Sequence, residues 1–233
     1  MTKLLASINS LEEAEIVLNA GVDIIDLKQP SQGALGALSI EEVKQIVEFV
    51  AKRKPVSATV GDLPMLPDLV FDAVQNMAAT GVDFVKIGMF PEGNQLATIQ
   101  RLASLTQHRL IAVLFADALP DFAIITALKA AGFSGVMIDT MDKSRGSLLS
   151  VIDEARLTEF IGLCKEKGLL CGLAGSLRLS DIATLLPYAV DYLGFRGALC
   201  VAHQRTAKLD ENAIFAIKQA FMVRQAHHER NHY

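Results

Sequence analysis

Two periodicities alternate along the chain. Short apolar runs occupy 3–8 (KLLASI), 22–28 (VDIIDLK), 55–61 (PVSATVG), 84–89 (FVKIGM), 110–116 (LIAVLFA), 135–140 (GVMIDT), 169–174 (LLCGLA) and 192–196 (YLGFR). Their length and composition predict eight buried strands. Between them apolar residues recur every three or four positions, the helical spacing. Ile40, Val43, Val47 and Val50 make one such face; Val70, Ala73, Val74 and Met77 make another; Leu157, Phe160, Ile161 and Cys164 make a third. Ser10 with Glu13, and Ser39 with Glu42, have the spacing of capping boxes. Gly21, Gly81, Gly132 and Gly168 each fall between a helical segment and the next strand, where a left-handed cap is wanted.

Strands that are apolar throughout belong to a parallel sheet covered by helices on its faces. Eight βα units in a chain of 233 residues predict an α/β fold, a single (β/α)8 TIM barrel spanning residues 1–222. The competing topology is a doubly wound open sheet. That fold usually carries a glycine-rich phosphate turn after its first strand, and here the first strand runs into SINSLEE. Residues 223–233 lack an apolar period, hold three of the five histidines and are expected to form a polar, flexible tail.

The charge balance narrows the partners. A net charge of −4, no Trp and 6% aromatic residues argue against nucleic acid and against an anionic membrane surface. The apolar stretch 110–131 is broken by Asp117, Pro120 and Asp121, so it reads as strand, turn and helix rather than a membrane span. Cys164, Cys171 and Cys200 show no CxxC spacing and read as buried thiols of a cytoplasmic protein. No metal-ligand motif, Walker A sequence or GxSxG is present. The helical faces leave the oligomeric state open, a homo-oligomer included.

Chemistry concentrates at the carboxyl ends of the predicted strands, the end at which barrel active sites are built. Asp26 and Lys28 fall at the end of the second strand and, two residues apart, share one face. Asp62 follows the third strand, Lys86 lies in the fourth, Asp117 follows the fifth and Asp139 closes the sixth. A lysine placed in a core element must be paired or lose its proton. Lys28 and Lys86 are therefore read in two ways. They are ion-pair partners of Asp26 or Asp117, or they are amines whose proton affinity is lowered by a neighbouring cation and by desolvation. A neutral amine attacks a carbonyl to form a Schiff base, and Asp26, Asp117 and Asp139 are candidates to move protons on the adjacent carbon. Asp139 alternatively caps its own loop through an Asx turn. That loop is long for a βα connection and holds Lys143 and Arg145. After the seventh and eighth strands, Gly175, Ser176, Arg196 and Gly197 suit a phosphate, with an Arg196–carboxylate pair as the alternative. These residues point to a lysine-dependent barrel acting on a small phosphorylated carbonyl compound.

Several segments, in order, carry a family likeness: DIIDLKQP with the following GALGA, SATVGDLP, VKIGMF, ADA at 116–118, MIDT, LAGS and GFRGALC. Together they resemble the (5-formylfuran-3-yl)methyl phosphate synthase family, also called 4-(hydroxymethyl)-2-furancarboxaldehyde-phosphate synthases, from the first strand to about residue 200. The resemblance implies a (β/α)8 lyase of methanofuran biosynthesis. Such an enzyme joins two molecules of glyceraldehyde 3-phosphate into a phosphorylated furan aldehyde, releasing phosphate and water, and needs no metal or organic cofactor. It implies that Lys28 is the Schiff-base lysine and Lys86 the proton acceptor, with Asp26, Asp139 and Lys143 beside them. VAHQRTAKLD, after Cys200, matches only loosely. Other readings are a class I aldolase-like or sugar-phosphate isomerase barrel, and a non-catalytic barrel that binds phosphorylated metabolites.

Overall fold

The computed structural model describes residues 1–230, with residues 224–230 described as backbone only. Its strands are β1 (Lys3–Ile8), β2 (Ile24–Leu27), β3 (Val56–Thr59), β4 (Phe84–Gly88), β5 (Leu110–Phe115), β6 (Gly135–Asp139), β7 (Leu170–Leu173) and β8 (Tyr192–Phe195). They pair in chain order into a closed barrel. Closure is made by β8 lying parallel to β1, with Lys3 opposite Tyr192 and Ala6 opposite Phe195. The expected (β/α)8 topology is the observed one. Most observed strands are a residue or two shorter than the apolar runs that announce them.

The helices cover the barrel from outside. They are α1 (Leu11–Ala20), α2 (Ile40–Val50), α3 (Pro67–Ala78), α4 (Gln95–Leu102), α5 (Ile124–Ala130), α6 (Leu148–Val151), α7 (Glu154–Glu166), α8 (Ile182–Leu185) and α9 (Glu211–Arg230). Helix α2 shows why these segments are helical. Ser39 and Glu42 form a complete capping box, and Val43, Ile46 and Val50 are buried along one face. Burying a side chain of that kind stabilises by about 1.5–3 kcal/mol, so one stripe more than offsets the weak intrinsic propensity of β-branched residues. Helix α3 opens on Pro67, whose missing N–H is no loss in a first turn.

Helix α1 departs from the expected capping box. Ser10 accepts from the Glu13 N–H at 3.2 Å, as expected. The Glu13 carboxylate instead accepts from the Asn9 N–H at 2.9 Å and is buried against the eighth strand end. Helix α9 runs to Arg230, past the boundary expected at residue 222, so residues 223–230 continue that helix. Of the expected tail, residues 231–233 lie outside the described residues.

Candidate active site

The strand alternation that buries Ile25 and Leu27 on one side of β2 turns Asp26 and Lys28 into the barrel mouth. Asp26 is level with Ser7 of β1 and Ser57 of β3 in the strand register. Both hydroxyls donate to its carboxylate, Ser7 at 2.8 Å and Ser57 at 2.6 Å. Lys86 of β4 pairs with the same carboxylate at 2.8 Å. Both members of this pair are 3% exposed, so neither has water to fall back on. A buried pair of this kind holds only when the remaining lone pairs are satisfied, and the two serines do that. Asp26 is therefore a fixed anchor that aims Lys86.

A second array lies beside it. Asp139, the last residue of β6, accepts from the Thr140 N–H at 2.7 Å and from the Lys143 ammonium at 2.5 Å. Lys143 stands on the 3-10 turn Lys143–Arg145 and also donates to the Thr140 carbonyl. Lys28 approaches the other Asp139 oxygen at 3.7 Å. Burial alone would raise the Asp139 carboxyl, but Lys143 and Lys28 outweigh it and hold the group well below the usual carboxylate range. Burial pushes the Lys143 ammonium down, with Asp139 opposing and Lys28 adding to the fall. The three lysines differ in how firmly they are held. Lys86 is ion-paired with Asp26 at 2.8 Å and Lys143 is hydrogen-bonded to Asp139, whereas Lys28 stands 3.7 Å from its carboxylate, too far for a hydrogen bond. Among the described residues Lys28 Nζ has that one charge partner and no hydrogen bond.

These groups open into a cavity of about 890 Å³ at the carboxyl end of the barrel. Gly175, Ser176 and Leu177 after β7, and Gly197 and Ala198 after β8, form its far wall. Gly175 takes φ +112°, and a Cβ there would stand 3.0 Å from Thr140, so the β7 loop comes this close to the β6 loop only because the residue is glycine. The N–H groups of Ser176, Leu177, Gly197 and Ala198 donate to no group among the described residues. Lys28, Lys86, Lys143, Arg178 and Arg205 line the cavity against the carboxylates Asp26 and Asp139.

Two expected roles require correction. Asp117 does not line the cavity. Its carboxylate accepts from the N–H groups of Met141 and Asp142, at 2.8 and 2.6 Å, and shapes the loop that carries Lys143. Proton transfer to substrate is not a role its position supports. Arg196 is not free to hold a phosphate. Its guanidinium pairs with Glu13 at 2.5 and 3.1 Å and donates to the carbonyls of Ser7, Arg205 and Ala207. All five of its N–H donors are thereby used. The alternative considered for it, a carboxylate pair, is the one observed. Asp62 likewise lies off the cavity and holds the GALG loop through the N–H groups of Ala34 and Leu35.

Sequence reasoning passed over Ser7, Ser57 and Arg205. The serines carried a signal, since each interrupts an apolar strand at the level of Asp26. Arg205 carried none, because it lies in a coil without periodicity.

Fold and cavity together define a (β/α)8 barrel with a lysine–carboxylate array at its carboxyl-terminal mouth. Known proteins make the assignment narrower. The family model described as 4-HFC-P synthase matches residues 4–218, and the chain belongs to that family of synthases. It is 44% identical over 210 residues to a Methylorubrum extorquens protein named provisionally as a (5-formylfuran-3-yl)methyl phosphate synthase, covering 89% of this chain and 86% of that one. It is 32% identical over 218 residues to the (5-formylfuran-3-yl)methyl phosphate synthase of Methanosarcina acetivorans, covering 88% and 93%. Among solved structures, phosphoribosyl anthranilate isomerase from Thermus thermophilus superposes with a TM-score of 0.68 at 11% identity, over 95% of this chain and 99% of that one. The 3-hexulose-6-phosphate synthase of Salmonella typhimurium gives 0.67 at 16%, over the same shares. These two likenesses are of fold alone. Among the described residues no helix is long and apolar enough to cross a membrane.

Proposed function

We propose that this protein is a carbon–oxygen lyase that condenses two molecules of glyceraldehyde 3-phosphate to (5-formylfuran-3-yl)methyl phosphate through a Schiff base on Lys28, in methanofuran biosynthesis. The observation that carries the reading is the contrast among the lysines. Lys28 alone of the three faces the cavity without a close carboxylate contact: its nearest carboxylate oxygen is 3.7 Å away, against 2.8 Å for Lys86 and 2.5 Å for Lys143. An attacking amine needs a free lone pair, and an ionised carboxylate beside it steadies the cationic iminium that forms.

The course runs as follows. The Lys28 amine adds to the aldehyde of one triose and water leaves, forming the iminium. Lys86, once it has passed its own proton to the Asp26 carboxylate 2.8 Å away, takes the proton from the α-carbon, and the C–H electron pair moves into the enamine. The enamine then expels phosphate from the β-carbon: the C–O bond breaks and its pair leaves with the phosphate. The carbon nucleophile that follows adds to the aldehyde of the second triose, whose phosphate is retained. Ring closure and loss of water form the furan, and hydrolysis of the imine breaks its C–N bond, releasing the aldehyde and restoring the Lys28 amine. No electrons are gained or lost overall, and the route uses no metal or organic cofactor. A cavity of about 890 Å³ has room for two trioses, and holding them together supplies the proximity that carbon–carbon bond formation needs. The N–H groups at Ser176 and Gly197 suit the retained phosphate, and Lys143 keeps Asp139 ionised next to Lys28.

Borohydride added with glyceraldehyde 3-phosphate should fix a mass on Lys28, and without borohydride phosphate and a furan chromophore should appear. Lys28→Arg keeps the charge and cannot form an imine, so it should stay folded and lose both the adduct and the furan. Full turnover in Lys28→Arg would sink the covalent route. Adduct formation without furan would point to an aldolase-like reaction instead.

A further inference from the structure

Arg205 belongs to the coil between β8 and α9, yet it spans the cavity mouth. Its backbone carbonyl accepts from Arg196 Nε at 2.8 Å, so the buried Arg196–Glu13 pair sets the base of the side chain. At the other end, Nη2 donates to the carbonyls of Pro30 and Gly33, at 2.7 and 2.5 Å, in the loop that follows Lys28. Arg205 thereby ties the β8 loop to the β2 loop. Its Nε and Nη1 donate to nothing among the described residues, and no carboxylate pairs with it there. The group lines the cavity and lies close enough to Asp139 and Lys143 for their charges to act on one another.

A guanidinium held at one nitrogen, with its remaining donors turned to a cavity, is a receptor for an oxyanion. The chemistry proposed above needs two phosphate positions. The retained phosphate has the backbone N–H groups after β7 and β8. The phosphate that departs needs a cation near the triose on Lys28, because the C–O electron pair leaves on its oxygen. We propose that Arg205, with the positive charge of Lys143 nearby, binds this departing phosphate through its unused N–H donors and selects a phosphorylated aldehyde for attachment to Lys28. The proposal rests on the Schiff-base reading. It adds a residue that acts on the phosphate rather than on the carbonyl.

The test uses two aldehydes, glyceraldehyde 3-phosphate and unphosphorylated glyceraldehyde, each trapped on Lys28 by borohydride across a concentration series. The wild type and Arg205→Gln should trap glyceraldehyde alike. For glyceraldehyde 3-phosphate, Arg205→Gln should need about tenfold more or higher for half-trapping, as expected for a lost charge-assisted hydrogen bond. Phosphate release should slow with it, and Arg205→Lys should recover part of both. An equal loss for both aldehydes would mean that Arg205 only shapes the loops, and would overturn the proposal. So would unchanged half-trapping by the phosphorylated aldehyde. If the wild type traps neither aldehyde, the Schiff-base reading itself fails, and this inference with it.

Discussion

Asp26→Asn isolates the energetics of the anchor. The change keeps the size of the side chain and removes the charge facing Lys86; the carboxamide oxygen still accepts from one serine, and the other serine turns its hydroxyl to accept from the amide N–H. With both partners 3% exposed and 2.8 Å apart, the lost partner strands an ammonium in the barrel. Removing one member of a buried pair costs about 3–5 kcal/mol. A ceiling comes from discharge. Neutralising a lysine of ordinary pKa, about 10.4, at pH 7 costs about 4.6 kcal/mol, so the penalty should settle just under that figure. The sign with pH follows. If the variant's native state holds a neutral Lys86, its unfolded state binds the extra proton, and stability rises with pH. The gap to wild type should narrow by about 1.4 kcal/mol per unit between pH 7 and 9. Adding Lys86→Met to Asp26→Asn should recover most of the loss. Urea unfolding followed by far-ultraviolet circular dichroism is the assay, since the chain has no Trp to report by fluorescence. A loss below about 1 kcal/mol at pH 7, or a gap that ignores pH, would refute the picture of a dry, mutually dependent pair.

Asp139 should govern acid stability. Its folded carboxyl is held down by Lys143 and Lys28 despite burial, so its contribution is present above the unfolded value of about 3.9 and is lost as pH falls further. Urea midpoints between pH 5 and 2.5 should fall less steeply in Asp139→Asn than in wild type. Arg196→Lys cannot reproduce a bidentate grip on Glu13 plus three carbonyl bonds, and should cost about 2 kcal/mol by the same unfolding assay. It should also raise the half-trapping concentration for glyceraldehyde 3-phosphate, because the base of Arg205 is released. The buried hydroxyl of Tyr192 has no hydrogen-bond partner among the described residues, so Tyr192→Phe should raise stability by about 1 kcal/mol. A lowered Tm would show that the hydroxyl is satisfied, for instance by water in the small cavity it lines at the opposite end of the barrel.

The strands were legible because each is apolar on both faces, and periodicity needs no tertiary knowledge to be read. Asp26, Lys28, Lys86 and Asp139 stood out for the same reason: a charge inside an apolar run is conspicuous in one dimension. Arg196 had the same conspicuousness, but its role depended on a partner 183 residues away. Nothing near Glu13 in sequence announces that its carboxylate turns from capping duty to the far end of the chain. Asp117 misled because closeness to a strand end does not fix direction, and its carboxylate turns to the neighbouring loop's N–H groups. Arg205 was invisible because coil segments have no period from which a facing can be inferred. Long-range pairing and loop trajectory are what composition and spacing leave out.

The Glu13–Arg196 pair stands where the first and last strands meet, and it binds the first helix to the coil beyond the last strand. It acts as a clasp on the seam of the cylinder. A chain with its first seven strands assembled and the seam still open already holds Lys28, Lys86 and Asp139, but has no support under the coil that carries Arg205. Loosening the seam, by a substitution near either terminus or by mild heat, should therefore blunt the selection of substrate while most of the cylinder still stands.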